Sequence, residues 1–276
     1  MANFTLEDVK TLRERLGTGM VDTKNALVEA DGDMEKAVEL LRLKGAKGNA
    51  KRADRSTAEG LIAAVDNGDG TATMIELACE TDFVAKGDKF VALADRVLAA
   101  TAAARADSVE SALAAPADGK TVADVINEEA AILGEKVELR RIRLVKGEHF
   151  SIYLHKTSKD LPPQVGVVLG YAGDDAETAR SVAQHISFAN PEYLAREDVP
   201  AESVEKERAI VEQITRDEGK PEAALPKIIE GRLGAYFKQV ALLEQPYAKD
   251  DKVSVSKVIA DAGLTVSDFA RFKVGA

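Results

Sequence analysis

The sequence predicts an α+β protein. A three-helix bundle comes first, followed by a core of two repeated antiparallel sheet-plus-helix subdomains with an inserted antiparallel helical hairpin. Three observations carry that prediction. Apolar residues recur at three- and four-residue spacing through residues 1–45, strand-like runs begin at residue 59, and the order strand, strand, helix then appears twice. A chain of 276 residues is long enough for two or three domains with a sizeable core.

Each element has a local reason. Thr5 and Asp8 make a capping box, and Leu6, Val9, Leu12 and Leu16 form an apolar stripe behind it. Gly17-Thr18-Gly19 ends that helix, and Met20 to Ala30 forms a second. Asp31-Gly32-Asp33 supplies a turn and an N-cap, after which Met34, Val38 and Leu41 share a face. Gly45 reads as the C-cap of this third helix. The length and layout of residues 1–45 resemble the ubiquitin-associated three-helix fold. Residues 46–58 are small, polar and basic without apolar periodicity, and predict a flexible linker.

The core divides at about residue 147 into subdomains 59–147 and 148–276. GLIAAVDN and TATMIELAC are strands joined by Gly68-Asp69-Gly70, a hairpin turn. A long helix follows to about Ala106, a weaker one covers Val122–Leu133, and KVELRRIRLVKG is another strand. The order recurs in HFSIYLHK, QVGVVLGYAG and the helix ETARSVAQHISFAN. Each unit leaves a sheet face uncovered, so the two halves should pack together. Within residues 199–245, Val204, Val211 and Ile214 mark one apolar line. Leu225, Ile229, Leu233, Tyr236, Val240 and Leu243 mark another across the turn. That hairpin serves either as a structural arm or as a surface for docking or homodimerisation. VSKVIADAG then gives a helix and DFARFKVG a closing strand.

The chemistry-bearing residues argue against an enzyme. The 47 acids and 37 bases give a net charge of −10, which disfavours DNA or nonspecific nucleic-acid binding. Cys79 is the only cysteine, so an internal disulfide and a thiolate zinc site are both excluded. It alternates with the buried side of a strand and reads as a packed thiol. There is no phosphate loop, HExxH, GxSxG or GxGxxG after a strand. Gly17-Thr18-Gly19 follows a helix rather than a strand. "DNGDGT" lacks the alternating acids and closing Glu of a calcium loop. His149, His155 and His185 lie too far apart to form a local ligand set. The pair Glu76 and Glu80 has no sugar cleft to go with it. No cofactor or metal, no membrane anchor and no direct nucleotide binding are expected. The N-terminus is not a secretory signal, and the whole predicts a soluble, cytoplasmic binding protein.

One stretch, "CETDFVAKGDKF" at 79–90, asks for more. If a single helix ran from Thr81, then Phe83, Phe90 and Val97 would share a core face. If Gly87-Asp88 starts a second helix with Asp88 as its N-cap, Thr81–Lys86 is a projecting turn and Phe83 points outward. Composition leaves both arrangements open.

Two segments resemble the bacterial translation elongation factor Ts family: "LRERLGTGMVDTKNAL" at 12–27 and "ELACETDFVAK" at 76–86. The similarity runs over nearly the whole length. Leu16 stands where the family usually has Thr, and Ala78 where it usually has Asn. The resemblance implies a guanine-nucleotide exchange factor for elongation factor Tu. It implies that Thr81, Asp82, Phe83 and Val84 dislodge the partner's magnesium, and that Arg13, Met20, Val21, Leu133, Gly134 and His155 contact the partner. Some members continue past the final strand into an extra helical module, whereas this sequence stops at RFKVGA. The bundle is therefore expected to carry more of the grip, as a tethered second site. The alternative reading is a ribosome- or RNA-associated module using the Arg42–Arg55 and Arg140–Arg143 clusters. A binder of ubiquitin-like folds through residues 1–45 rests on fold analogy alone.

Overall fold

Local capping chemistry sets out the first three helices of the computed structural model, which describes residues 3–276; Met1 and Ala2 lie outside them. Helix α1 (Leu6–Leu16) begins at a reciprocal cap. The Asp8 N–H donates to Thr5 Oγ1 at 3.1 Å, and the Thr5 N–H donates to the Asp8 carboxylate at 2.7 Å. It stops at Gly17, whose φ of 67° suits a residue without Cβ. Helix α2 (Met20–Glu29) and helix α3 (Met34–Arg52) complete the bundle around Val9, Leu12, Leu27, Ala37 and Leu41.

Here the structure corrects the sequence reading. Gly45 is not a C-cap, and residues 46–52 are not a linker, because α3 runs unbroken to Arg52. The reason lies in what α3 packs against, helix α7 introduced below. A Cβ on Gly45 would lie 2.8 Å from the Cβ of Ala131. Asn49 Nδ2 donates to the Asn127 carbonyl at 2.7 Å, and Arg42 meets Glu128 at 3.3 Å. The contact face is thus built from small and polar residues, which leave no apolar stripe to read.

Strands β1 (Glu59–Asp66) and β2 (Thr71–Cys79) form the expected hairpin, with Glu59 opposite Cys79 and left-handed Gly68 and Gly70 in the turn. Then come a one-turn helix α4 (Asp82–Ala85), helix α5 (Asp88–Ala103) and the short helix α6 (Val109–Ala114). Two-residue strands β3 (Pro116–Ala117) and β4 (Lys120–Thr121) lead into α7 (Val122–Leu133). Strand β5 (Val137–Lys146) closes the first sheet in the order β1-β2-β5.

The second half repeats the plan. Strands β6 (His149–His155) and β7 (Val165–Ala172) pair antiparallel, and helix α8 (Ala176–Ala189) follows. Helices α9 (Ala201–Asp217) and α10 (Leu225–Val240) make the hairpin. Strands β8 (Pro246–Tyr247) and β9 (Asp250–Ser254), then helix α11 (Val255–Asp261), lead to strand β10 (Thr265–Lys273). The second sheet has the order β10-β7-β6.

The two sheets lie face to face, with Ile62, Met74, Val145, Val168 and Ala270 buried between them. Leu77, Phe90, Val97 and Val125 fill the layer between the first sheet and its helices. Leu169, Val182, Ile186 and Ile259 do the same for the second. The result is a helix–sheet–sheet–helix sandwich, which covers the faces that either half alone would expose. In the hairpin, Val211, Leu225, Ile229, Leu233, Phe237 and Val240 are buried together. Ile214 departs from the expected line. It is 46% exposed, and Thr215 faces inward instead, its hydroxyl bonded to the Val211 carbonyl at 2.6 Å.

Candidate interaction site

Cys79 ends β2, and Thr81 turns the chain away from the sheet. Thr81 is extended (φ −126°, ψ 155°), and its hydroxyl accepts the Val84 N–H at 3.4 Å, so it caps the single turn of α4. Gly87 then caps α5, which corrects the expectation that Asp88 is the N-cap; Asp88 is the first helical residue. Two helix starts within seven residues of sequence keep 81–86 out of register with α5. Phe90 and Val97 are buried in the core, whereas Phe83 is 75% exposed. Ala85 and the partly buried Val84 anchor the turn beneath it. The ring of Phe83 carries the Lys86 ammonium 4.3 Å from its centroid, and that ammonium also lies 3.5 Å from Asp82. The outward arrangement is the one the chain adopts.

The turn is held from behind by the segment after α7. Gly134 is the left-handed C-cap of that helix, with φ 77°. Glu135 follows, and its carboxylate accepts the N–H groups of Glu80 and Thr81, each at 3.1 Å, and the Thr81 hydroxyl at 2.6 Å. In return Glu80 accepts the Lys136 N–H at 2.7 Å and pairs with Arg55 at 3.1 Å. Sequence reasoning missed Glu135. Its only trace there is an acid directly after a glycine cap, facing no recognisable partner.

The other nominated residues lie on α1, on α2, at the end of α7 and at the end of β6. A Cβ on Gly17 would meet the Ile132 side chain at 3.2 Å, so the α1–α2 turn abuts the end of α7. Arg13 closes the last turn of α1, its carbonyl accepting the Gly17 N–H, and is exposed. Met20 and Val21 open α2, 51% and 69% exposed. Leu133 is partly buried against the first core. His155 sits exposed at the end of β6, its Nδ1 3.1 Å from the Tyr153 hydroxyl. Its carbonyl accepts the Gln164 N–H at 2.9 Å, and the Gln164 side chain donates to Gly60 at 2.8 Å. Gly60 pairs with Ala78, so His155 lies at the same end of the sandwich as Cys79.

The sequence model described as "Elongation factor TS" matches residues 80–276. Elongation factor Ts of Leifsonia xyli subsp. xyli is 75% identical over 276 residues, covering all of both chains. The chain belongs to the elongation factor Ts family. The proteins of that name from Clavibacter sepedonicus and Micrococcus luteus are 73% and 57% identical, again over the full length of both chains.

In this member of the elongation factor Ts family, several further polar groups are paired within the fold. The Cys79 thiol is pushed up to about 12, first by burial and then by the nearby charges of Glu135 and Glu59. It donates to the Thr81 carbonyl at 3.3 Å and stays in the thiol form at neutral pH. Glu76 is fully buried and meets Arg141 at 2.5 Å, Arg140 at 3.5 Å and the Gly275 N–H at 3.2 Å. Arg143 pairs with Asp268, Lys44 with Asp22 and Arg55 with Glu80. Arg42, Lys44, Arg55 and Arg143 are exposed, but each is paired with a carboxylate, which lowers the positive charge an RNA backbone would meet. Among the described residues no group of three or more His, Cys, Asp or Glu could hold a metal ion. Among them, too, no helix is long and apolar enough to cross a membrane.

Proposed function

We propose that this protein is the guanine-nucleotide exchange factor of elongation factor Tu in translation elongation, acting in the cytoplasm. Asp82 and Phe83 are the wedge. The observation that carries the reading is an aromatic ring left 75% exposed on a one-turn helix whose base is pinned to the core. Such a ring is large and rigid, with few rotamers to lose on insertion. Pressed between two helices of the GTPase beside its nucleotide, with Thr81 and Val84 as its shoulders, it disturbs the backbone N–H groups and magnesium that hold the phosphates. No covalent bond changes, so the factor speeds exchange without being a conventional enzyme and without binding nucleotide itself. Factor and GDP weaken each other by an equal coupling free energy, which lets incoming GTP expel the factor.

Arg13, Met20 and Val21 on the ubiquitin-associated-like bundle, with Leu133, Gly134 and His155, dock the partner around the wedge. The α9–α10 hairpin is an arm that grips the partner elsewhere or joins a second copy.

The test is stopped-flow release of labelled GDP from elongation factor Tu, with and without magnesium. Chelation should speed release from the partner alone and shrink the advantage this protein confers. An equal fold-acceleration in both conditions would remove the metal from the mechanism, and no acceleration in either would remove the function.

A further inference from the structure

We propose that Glu135 is a positioning residue for exchange: through its three hydrogen bonds to Glu80 and Thr81, it sets the direction and stiffness of Phe83. This deepens the proposed function and rests on its reading of Phe83 as the wedge.

An exposed ring on one turn of helix is a poor lever unless its base is fixed. Four residues cannot sustain a helix alone, because nucleation orders several dihedrals for a single hydrogen bond. The base of α4 must therefore be held by something outside it. Val84 and Ala85 hold one side by packing. Glu135 holds the other, with two N–H groups at 3.1 Å and a hydroxyl at 2.6 Å converging on one carboxylate. An ionised acceptor makes such bonds roughly twice as strong as neutral ones. The Thr81 hydroxyl donates to Glu135 and accepts from Val84, so the clamp orients the very cap that starts α4. The Cys79 thiol, bonded to the Thr81 carbonyl, fixes the remaining backbone group.

Glu135 also stands three residues past Ile132, against which the bundle rests.

The experiment is a cycle of Phe83→Ala, Glu135→Ala and the double variant in saturating GDP-release kinetics, with melting temperature measured alongside. Glu135→Ala should lower the maximal release rate about tenfold with a smaller change in half-saturating concentration, as expected when an interaction matters mainly in the transition state. The double variant should be no slower than Phe83→Ala, because a clamp has nothing to position once the ring is gone. Multiplying effects would overturn the proposal, as would a normal rate for Glu135→Ala beside a slow Phe83→Ala. A normal rate for Phe83→Ala would instead overturn the wedge. If Glu135→Ala does not fold, Glu135→Gln carries the same cycle: it keeps one acceptor oxygen and should slow release less than Phe83→Ala, with no further loss in the double variant.

Discussion

Phe83, with its ring in solvent, should be worth little to the fold and, as the proposed wedge, much to the function. Truncating a buried Phe costs ~3–5 kcal/mol, whereas an exposed substitution usually stays within about 0.5 kcal/mol. With Phe83 75% exposed, Phe83→Ala should leave the melting temperature nearly unchanged and slow GDP release strongly. A large fall in melting temperature with normal exchange would return the ring to the core. The residue itself was legible in the sequence as an aromatic where a turn needs none. Its direction was not, because Phe83, Phe90 and Val97 fit one helical face equally well until Gly87 restarts the helix. Glu135 was illegible for a different reason. Its partners are backbone N–H groups 54 and 55 residues away, and backbone donors carry no mark in a sequence.

At the scale of elements, strands and capped helices were readable from periodicity and turn residues, down to the bounds of α7. Failures came where packing uses something other than apolar side chains. The second half of α3 meets α7 through Gly45 and Asn49, so its sequence reads as polar and irregular. Two opposing effects bear on Gly45. Replacing a mid-helix Gly by Ala gains about 1 kcal/mol in helix propensity, while overpacking a tight contact costs ~1–3 kcal/mol. Contact with the Ala131 Cβ at 2.8 Å leaves no flexible side-chain end to give way, so the cost should win. Gly45→Ala should lower the melting temperature, and a rise would mean that α3 shifts freely on α7.

His185 poses a similar question on α8. It is buried, its Nδ1 accepts the Ala248 N–H at 3.1 Å, and its Nε2–H donates to Gln245 at 2.8 Å. It therefore ties the foot of the hairpin to the second core, beside the Tyr247 ring. Burial holds its pKa below the ordinary 6.5, with the Gln245 bond opposing weakly. The unfolded chain then binds a proton more readily than the folded one. Stability from this group is full above the ordinary value and declines as pH falls from there through the lowered one. Thermal melts should show that loss, and His185→Gln should flatten it; an unchanged slope would assign it to other groups.

Across the whole molecule, the bundle is docked rather than tethered. The idea that it adds affinity only through effective concentration therefore loses its basis, and the Ile132 and Ala131 contacts take its place. Glu76 makes the corresponding link between the two sheets. It is buried against Arg141, and Arg141 also donates to the Lys273 carbonyl at 2.7 Å on β10. Breaking a buried pair from one side typically costs ~3–5 kcal/mol, because the partner charge is left uncompensated. Glu76→Ala should accordingly lower the unfolding free energy by that amount, seen as a lower urea midpoint with an unchanged slope. A shift below about 1 kcal/mol would show that water reaches the two arginines.

The order β10-β7-β6 has a consequence for how the chain is made. Strand β7 lies at the centre of its sheet and is buried along nearly its whole length, yet one of its two neighbours is the last strand synthesised. At ordinary ribosomal speeds, the interval between Ala172 and Lys273 is on the order of ten seconds. Until β10 arrives, VGVVLGYA can pair along only one of its two edges. A protein proposed to hasten translation thus leaves the central strand of its own second sheet half-paired until a distant downstream segment is made.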